Sequence, residues 1–174
     1  MKSLCLLLSL ILINPKLENS FYDFEFEDIN GTIINTSVYP GERVVVAVIS
    51  SNEAGRKLVN YFDSIQKAGI AVQVIAIPTD EFNVDVNLDT LGGFTTNSHI
   101  VVAKPLKIKK SNAELQHPLF AWLTNVTKNN HFDMDVEREG QLFIISEKGT
   151  LYSVLPDLPP TTELNKILTQ PFAE

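Results

Sequence analysis

Cysteine is all but missing. One residue of 174 is a cysteine, Cys5, and it lies inside an apolar N-terminal run. A lone cysteine forms no internal disulfide and no thiolate metal cluster. If that run is removed, no thiol nucleophile is left anywhere in the chain. Positive charge is also scarce: 14 Lys and Arg against 21 Asp and Glu give a net charge of −7. That balance makes nucleic acid and anionic membrane surfaces poor partners. Long apolar runs are missing as well. Leu4 to Ile13 is the longest, about half of the ~20 residues a membrane-spanning helix needs. The histidines number 3, His99, His117 and His131, so a serine nucleophile would have few bases to draw on. No internal repeat, linker or low-complexity tract is visible.

What is present describes a globular chain. Hydrophobic residues make up 44% and charged residues 20%, enough to build the core of a single domain. Lys2 followed by the Leu4–Ile13 run and then the polar stretch NPKLENS reads as a secretory signal peptide over residues 1–19. No small-residue pattern marks its cleavage point. Residues 20–174 are then the single mature domain. Three N-x-S/T sequons, at Asn30, Asn35 and Asn125, agree with a secreted, extracellular glycoprotein.

Hydrophobic periodicity predicts the elements. FYDFEFED (21–28) alternates as a half-buried strand, and Asn30-Gly31 reads as a type I′ hairpin turn into a second strand, TIINT (32–36). Residues 43–49 form a continuous β-branched run suited to a central strand. Residues 52–67 carry Leu58, Phe62 and Ile65 at helical spacing, and Gly69 ends that helix. IAVQVIAI (70–77) is a second buried strand, stopped by Pro78. Strand, helix, strand in that order implies a right-handed parallel crossover. Residues 80–98 read as irregular, 100–103 as a short strand, and 114–124 as a helix with Leu119, Phe120 and Leu123 on one side. Residues 142–146 and 150–154 flank Glu147-Lys148-Gly149 as a β-hairpin. TTELNKIL (161–168) is a closing helix, opened by a threonine cap ahead of Glu163.

The order is hairpin, β, α, β, irregular segment, α, β-hairpin, α: an α/β, thioredoxin-like arrangement with a central mixed sheet flanked by helices. Four stretches then resemble the glutathione peroxidase family. They are FYDFEFEDINGTIINTSVYPGERVVVAV, Ala76-Ile77-Pro78 with Phe82, His117-Pro118-Leu119-Phe120, and Phe143 to Thr162. They occur in family order across nearly the whole mature chain. The resemblance implies peroxide reduction by a selenocysteine or cysteine assisted by a glutamine, a tryptophan and an asparagine. Carried over, the chalcogen position falls on Glu53 or Ala54 and the glutamine on Glu81. The tryptophan and asparagine fall on Arg138 and Glu139, or by another placement on His131 and Phe132. The lone Trp122 is not at the family's tryptophan position. No position carries the family's residue, so the resemblance implies a pseudoenzyme with no catalytic residue and no cofactor. Glutathione would be a co-substrate only of an active chain.

Other chemistry is weaker. Ser50 and Ser51 read as turn and cap residues. Asp133, Asp135, Glu137 and Glu139, with His131 before them, would share one face if they lay on a strand and could then hold a hard cation. Lys107, Lys109 and Lys110, in the stretch KPLKIKK that starts at Lys104, form a small basic cluster that could hold a carboxylate-bearing ligand such as glutathione. The expectation is a secreted homologue that binds an unknown protein or small molecule. The alternatives are a working glutathione- or thioredoxin-dependent peroxidase and an acidic-face cation binder. The short connection from His117 to Phe143 resembles that of the family's monomeric, phospholipid-hydroperoxide members, which implies a monomer.

Overall fold

The computed structural model describes residues 20–82, 85–94 and 99–171. The predicted signal peptide and Cys5 lie outside the described residues.

The architecture is set by a continuous β-branched run. Val44–Ile49 forms β3 and Gln73–Pro78 forms β4, and every residue of both is buried. They pair in parallel, with Val45 opposite Val74 and Ile49 opposite Pro78. The connection between them is α1, Glu53–Lys67, capped by Asn52, whose side-chain oxygen accepts from the Ala54 amide at 2.7 Å. β5 (Ile100–Val102) adds in parallel beside β4. β6 (Leu142–Ile145) adds antiparallel to β3, and β7 (Leu151–Leu155) antiparallel to β6. The sheet order is β5-β4-β3-β6-β7. A separate two-stranded sheet pairs β1 (Glu25–Glu27) with β2 (Ile33–Asn35). It docks on the main sheet through an Asp28–Ala103 bridge.

Period-two alternation along the central strands makes two cores. Val45, Ala47 and Ile49 face Leu58, Phe62 and Ile65 of α1, and Leu164 and Leu168 of α5 (Thr161–Thr169). Val44, Val46 and Val48 face Phe21, Phe24, Phe26 and the buried side of α3 (Pro118–Leu123), including Trp122. Trp122 is a core residue, tilted against Phe24 at 5.7 Å between ring centres.

Several elements depart from the sequence reading, each for a local reason. Phe21–Asp23 is a 3₁₀ turn, because Ser20 and Asp23 form a reciprocal capping box. Thr36 leaves β2 for a second 3₁₀ turn, and its hydroxyl donates to the Phe21 and Phe24 carbonyls. In the hairpin Gly31 has φ 87°, but Asn30 is not left-handed. A type I′ turn needs both, so the turn is of another kind, and the Asp28 carboxylate fixes it by accepting from the amides of Asn30 and Thr32.

The buried strand begins at Gln73 rather than 70 and takes in Pro78. The irregular stretch contains a short helix, α2 (Leu88–Gly92), capped by Asn87. The helix expected over 114–124 is broken. Pro118 holds His117 extended, so Lys110–Leu115 is a 3₁₀ segment and α3 starts only at Pro118. A one-turn α4 (Val126–Asn129) follows. α5 begins after Pro160 with no side-chain cap bond; the expected threonine cap is its first helical residue. Residues 131–139 form no strand.

Candidate functional site

Parallel strands deliver their following loops to one edge of the sheet, and ligands of open α/β sheets gather there. Here that edge collects the corner Ser50–Gly55 after β3, the segment Thr79–Phe82 after β4, and Arg138–Gln141 before β6. Strand register brings them together: Ile49 lies opposite Pro78. Val48 exchanges backbone hydrogen bonds with the 140–141 turn, its carbonyl accepting from the Gly140 amide at 2.8 Å and its amide donating to the Gln141 carbonyl at 3.0 Å.

The corner is tightly built. A Cβ on Gly55 would come within 1.8 Å of the Ser50 carbonyl oxygen, so only glycine fits where α1 turns back over β3. The Ser50 hydroxyl bonds to Asn52 Oδ1 at 2.8 Å. The Ser51 hydroxyl donates to the Asp85 carbonyl and accepts from the Asn87 amide, at 3.2 and 2.8 Å. Both serines therefore brace the corner and the loop that crosses it, and neither is paired with a base. Glu53 and Ala54 are the first two residues of α1, both exposed; Glu53 makes an outward ion pair with Arg56 at 3.6 Å.

Glu81 is held fast. One carboxylate oxygen accepts from the Ile108 and Lys109 amides, each at 2.9 Å, and the other from the Asn112 side chain. Lys109 reaches back to the Glu81 carbonyl at 3.0 Å and lies over the Phe82 ring at 4.1 Å. The carboxylate thus pins the 108–112 segment. Sequence reading missed this clamp, since Asn112 lies far from Glu81 along the chain and shows no pattern. Arg138 pairs outward with Asp157 at 3.1 Å. Glu139 keeps one buried carboxylate oxygen without a hydrogen-bond partner. The alternative positions, His131 and Phe132, stand instead beyond α4, ring beside ring at 6.4 Å.

The two charged clusters meet at Lys110, and the other ion pairs of the basic cluster go to carboxylates elsewhere. Lys104 pairs with Glu27. Lys107 pairs with Asp80 at 2.9 Å, a bond that holds the Asp80 carboxyl below its usual range and pushes the Lys107 ammonium up. Lys110 pairs with Asp133 at 2.6 Å, which lowers the Asp133 carboxyl likewise. Asp135 accepts from the Lys110 amide at 2.9 Å. Lys104, Lys107 and Lys110 are therefore engaged with protein carboxylates, and Lys109 with the Glu81 carbonyl and the Phe82 ring. The acidic residues share no strand face, and no group of three potential metal ligands exists among the described residues.

The remaining candidates are structural. His117 accepts from the Leu119 amide at the head of α3, and burial pushes its pKa down. Asn30 and Asn35 are exposed on the hairpin, whereas Asn125 is half-buried and its side-chain oxygen caps α4. No helix among the described residues is long and apolar enough to cross a membrane.

The sequence matches no family model and no curated protein. Solved structures do match. The apo form of Trgpx is 20% identical, with a TM-score of 0.65 over 88% of this chain and 98% of its own. GPX1 of T. cruzi is 15% identical, with a TM-score of 0.63 over 86% and 94%. A secreted disulfide oxidoreductase of Mycobacterium tuberculosis, homologous to DsbE of E. coli, is 11% identical, with a TM-score of 0.55 over 85% and 96%. The fold is thioredoxin-like. The element order led one to expect that fold, and glutathione-peroxidase-like and disulfide-oxidoreductase structures share it. At these identities the likeness is one of fold. Within the thioredoxin-like fold of this chain, the edge just described is occupied by an alanine, carboxylates and an arginine.

Proposed function

We propose that this chain is a secreted, peroxidase-derived binding protein with no peroxidase chemistry of its own. The observation that supports it best is the fate of the sheet edge. Peroxide reduction needs a thiolate or selenolate that attacks one peroxide oxygen; the O–O bond breaks, hydroxide leaves and the sulfur becomes a sulfenic acid. Ala54 and Glu53 have no atom able to do this. Glu81 is committed to two backbone amides and Asn112. Arg138 is turned to Asp157. The edge keeps the backbone shape of a reactive corner, with its side chains reassigned to holding loops together. Its role is then non-catalytic: contact with a protein or small molecule on an inherited scaffold.

The test is peroxide consumption by the purified protein, with hydrogen peroxide and with a lipid hydroperoxide, and with glutathione or thioredoxin as reductant. The expected result is no turnover above a heat-killed control. Mass spectrometry of the mature N-terminus accompanies it, to show whether Cys5 is retained. Turnover that disappears in Cys5→Ser would overturn the proposal in favour of a working peroxidase.

A further inference from the structure

At the opposite end of β3 and β4 from the corner, a recess of about 420 Å³ opens between the segment before β3, the start of β4 and the β6–β7 turn. That volume lies within the ~300–1,000 Å³ typical of small-molecule sites. An adjoining recess of about 210 Å³ shares Ala71, Val72 and His99 and runs on past Gly69 and Ile70. The six residues of β3, at ~3.3 Å each, separate this place from the corner by roughly 20 Å.

The charge of the larger lobe is negative in effect. Arg43 is its one arginine, and both terminal nitrogens of its guanidinium are bound within the protein, while Nε is buried without a hydrogen-bond partner. Nη1 donates to the Ile167 and Leu168 carbonyls at 2.9 and 2.7 Å, and Nη2 to both Glu147 oxygens, at 2.8 and 3.0 Å. Glu42, on the same wall and exposed, has no ion-pair partner among the described residues. Glu42 and Glu147 both line this lobe. The Gln73 amide nitrogen, the donor an anion would seek, is taken by the Val74 and His99 carbonyls, each at 3.2 Å. Beyond this acidic end the floor is apolar, formed by Ala71, Val72 and Ile70.

We propose that the two-lobed recess binds an elongated organic cation, with an ammonium head at Glu42 and Glu147 and an apolar tail along Ala71, Val72 and Ile70. The net charge of −7 attracts such a ligand at long range. The site is separate from the corner after β3 and stands whether or not the chain has peroxidase activity.

The test is an NMR titration of the purified protein with n-hexylammonium, n-hexanol and methylammonium, following the amides of Glu42, Val72 and Gln73. The expected result is a saturable shift of these amides with n-hexylammonium. Binding of n-hexanol and of methylammonium should each be weaker by about threefold or more, the former lacking the ion pair and the latter the apolar contact. Glu42→Lys should abolish the saturable shift. Ala71→Phe, which fills the recess without changing its charge, should do the same. Both positions are exposed, and unchanged amide dispersion elsewhere will show that the variants fold. Equal binding of n-hexanol, no saturable shift, or binding that survives both variants would overturn the proposal.

Discussion

At the scale of single residues, the corner after β3 is decided by one glycine and two carboxylates. Gly55 is the place where the backbone of α1 crosses that of Ser50, and a methyl group there would need the space of a carbonyl oxygen 1.8 Å away. Gly55→Ala is expected to cost about 3 kcal/mol, the upper end of overpacking penalties. Gly92→Ala, where nothing stands within 4 Å, is expected to be neutral or to stabilise by up to ~1 kcal/mol. Urea unfolding midpoints at constant slope measure both. The identity of Glu81 and Glu139 was legible in the sequence. What each does was not. Glu81 becomes a clamp only because β5 returns the chain to place the Ile108 and Lys109 amides against it, a long-range contact that no local pattern encodes.

At the scale of elements, strongly patterned segments were read correctly and short capped ones were not. β3, α1, β4 and the β6–β7 hairpin announce themselves by continuous β-branched runs or helical spacing. The 3₁₀ turns at Phe21–Asp23 and Thr36–Val38 depend on side-chain to backbone bonds that outcompete strand pairing. Pro118 should have divided the helix expected over 114–124, since the residue before a proline avoids helical backbone. Arg43 joins elements that sequence leaves far apart. It ties the C-terminal carbonyls of α5 to the turn between β6 and β7 and lies over the Tyr152 ring at 5.6 Å. It is 3% exposed, whereas Glu147 is 43% exposed. Arg43→Ala is therefore expected to cost about 2–3 kcal/mol, because it strands buried carbonyls and a carboxylate. Glu147→Gln should cost less than about 1 kcal/mol, because water can reach that partner. Comparable losses in the two variants, in the same unfolding experiment, would contradict this division.

At the scale of the whole molecule, stability should fall with acid in two separable stages. Burial lowers the His117 pKa from its usual 6.5. As pH falls below ~6.5, the unfolded chain takes that proton first, and stability drains until the folded pKa is passed. Asp80 and Asp133 are lowered by their bonds from Lys107 and Lys110. For Glu147, desolvation opposes the shift, but its own backbone amide and Arg43 hold it low. The contributions of these carboxylates are complete above ~5 and fade as pH falls through their lowered folded values. Thermal midpoints across this range should show both stages in the parent protein. His117→Gln should flatten the stage that begins as pH falls below ~6.5 and leave the lower one in place. If the two proteins lose stability in parallel over that interval, His117 is not the group responsible.

The sequence by itself determined the class of the sheet, its two helical coverings and the lack of any thiol other than Cys5, because hydrophobic period and residue identity are local properties. The tertiary structure alone decided which charges meet. The basic cluster at 104–110 and the acidic residues at 133–135 looked like separate binding surfaces, and folding sets them against each other or against Glu27 and Asp80. Glu42, whose charge the fold leaves unpaired among the described residues, had no distinguishing mark in the chain. Pairing depends on distances between residues tens of positions apart, and those distances exist only once both cores have closed on the sheet.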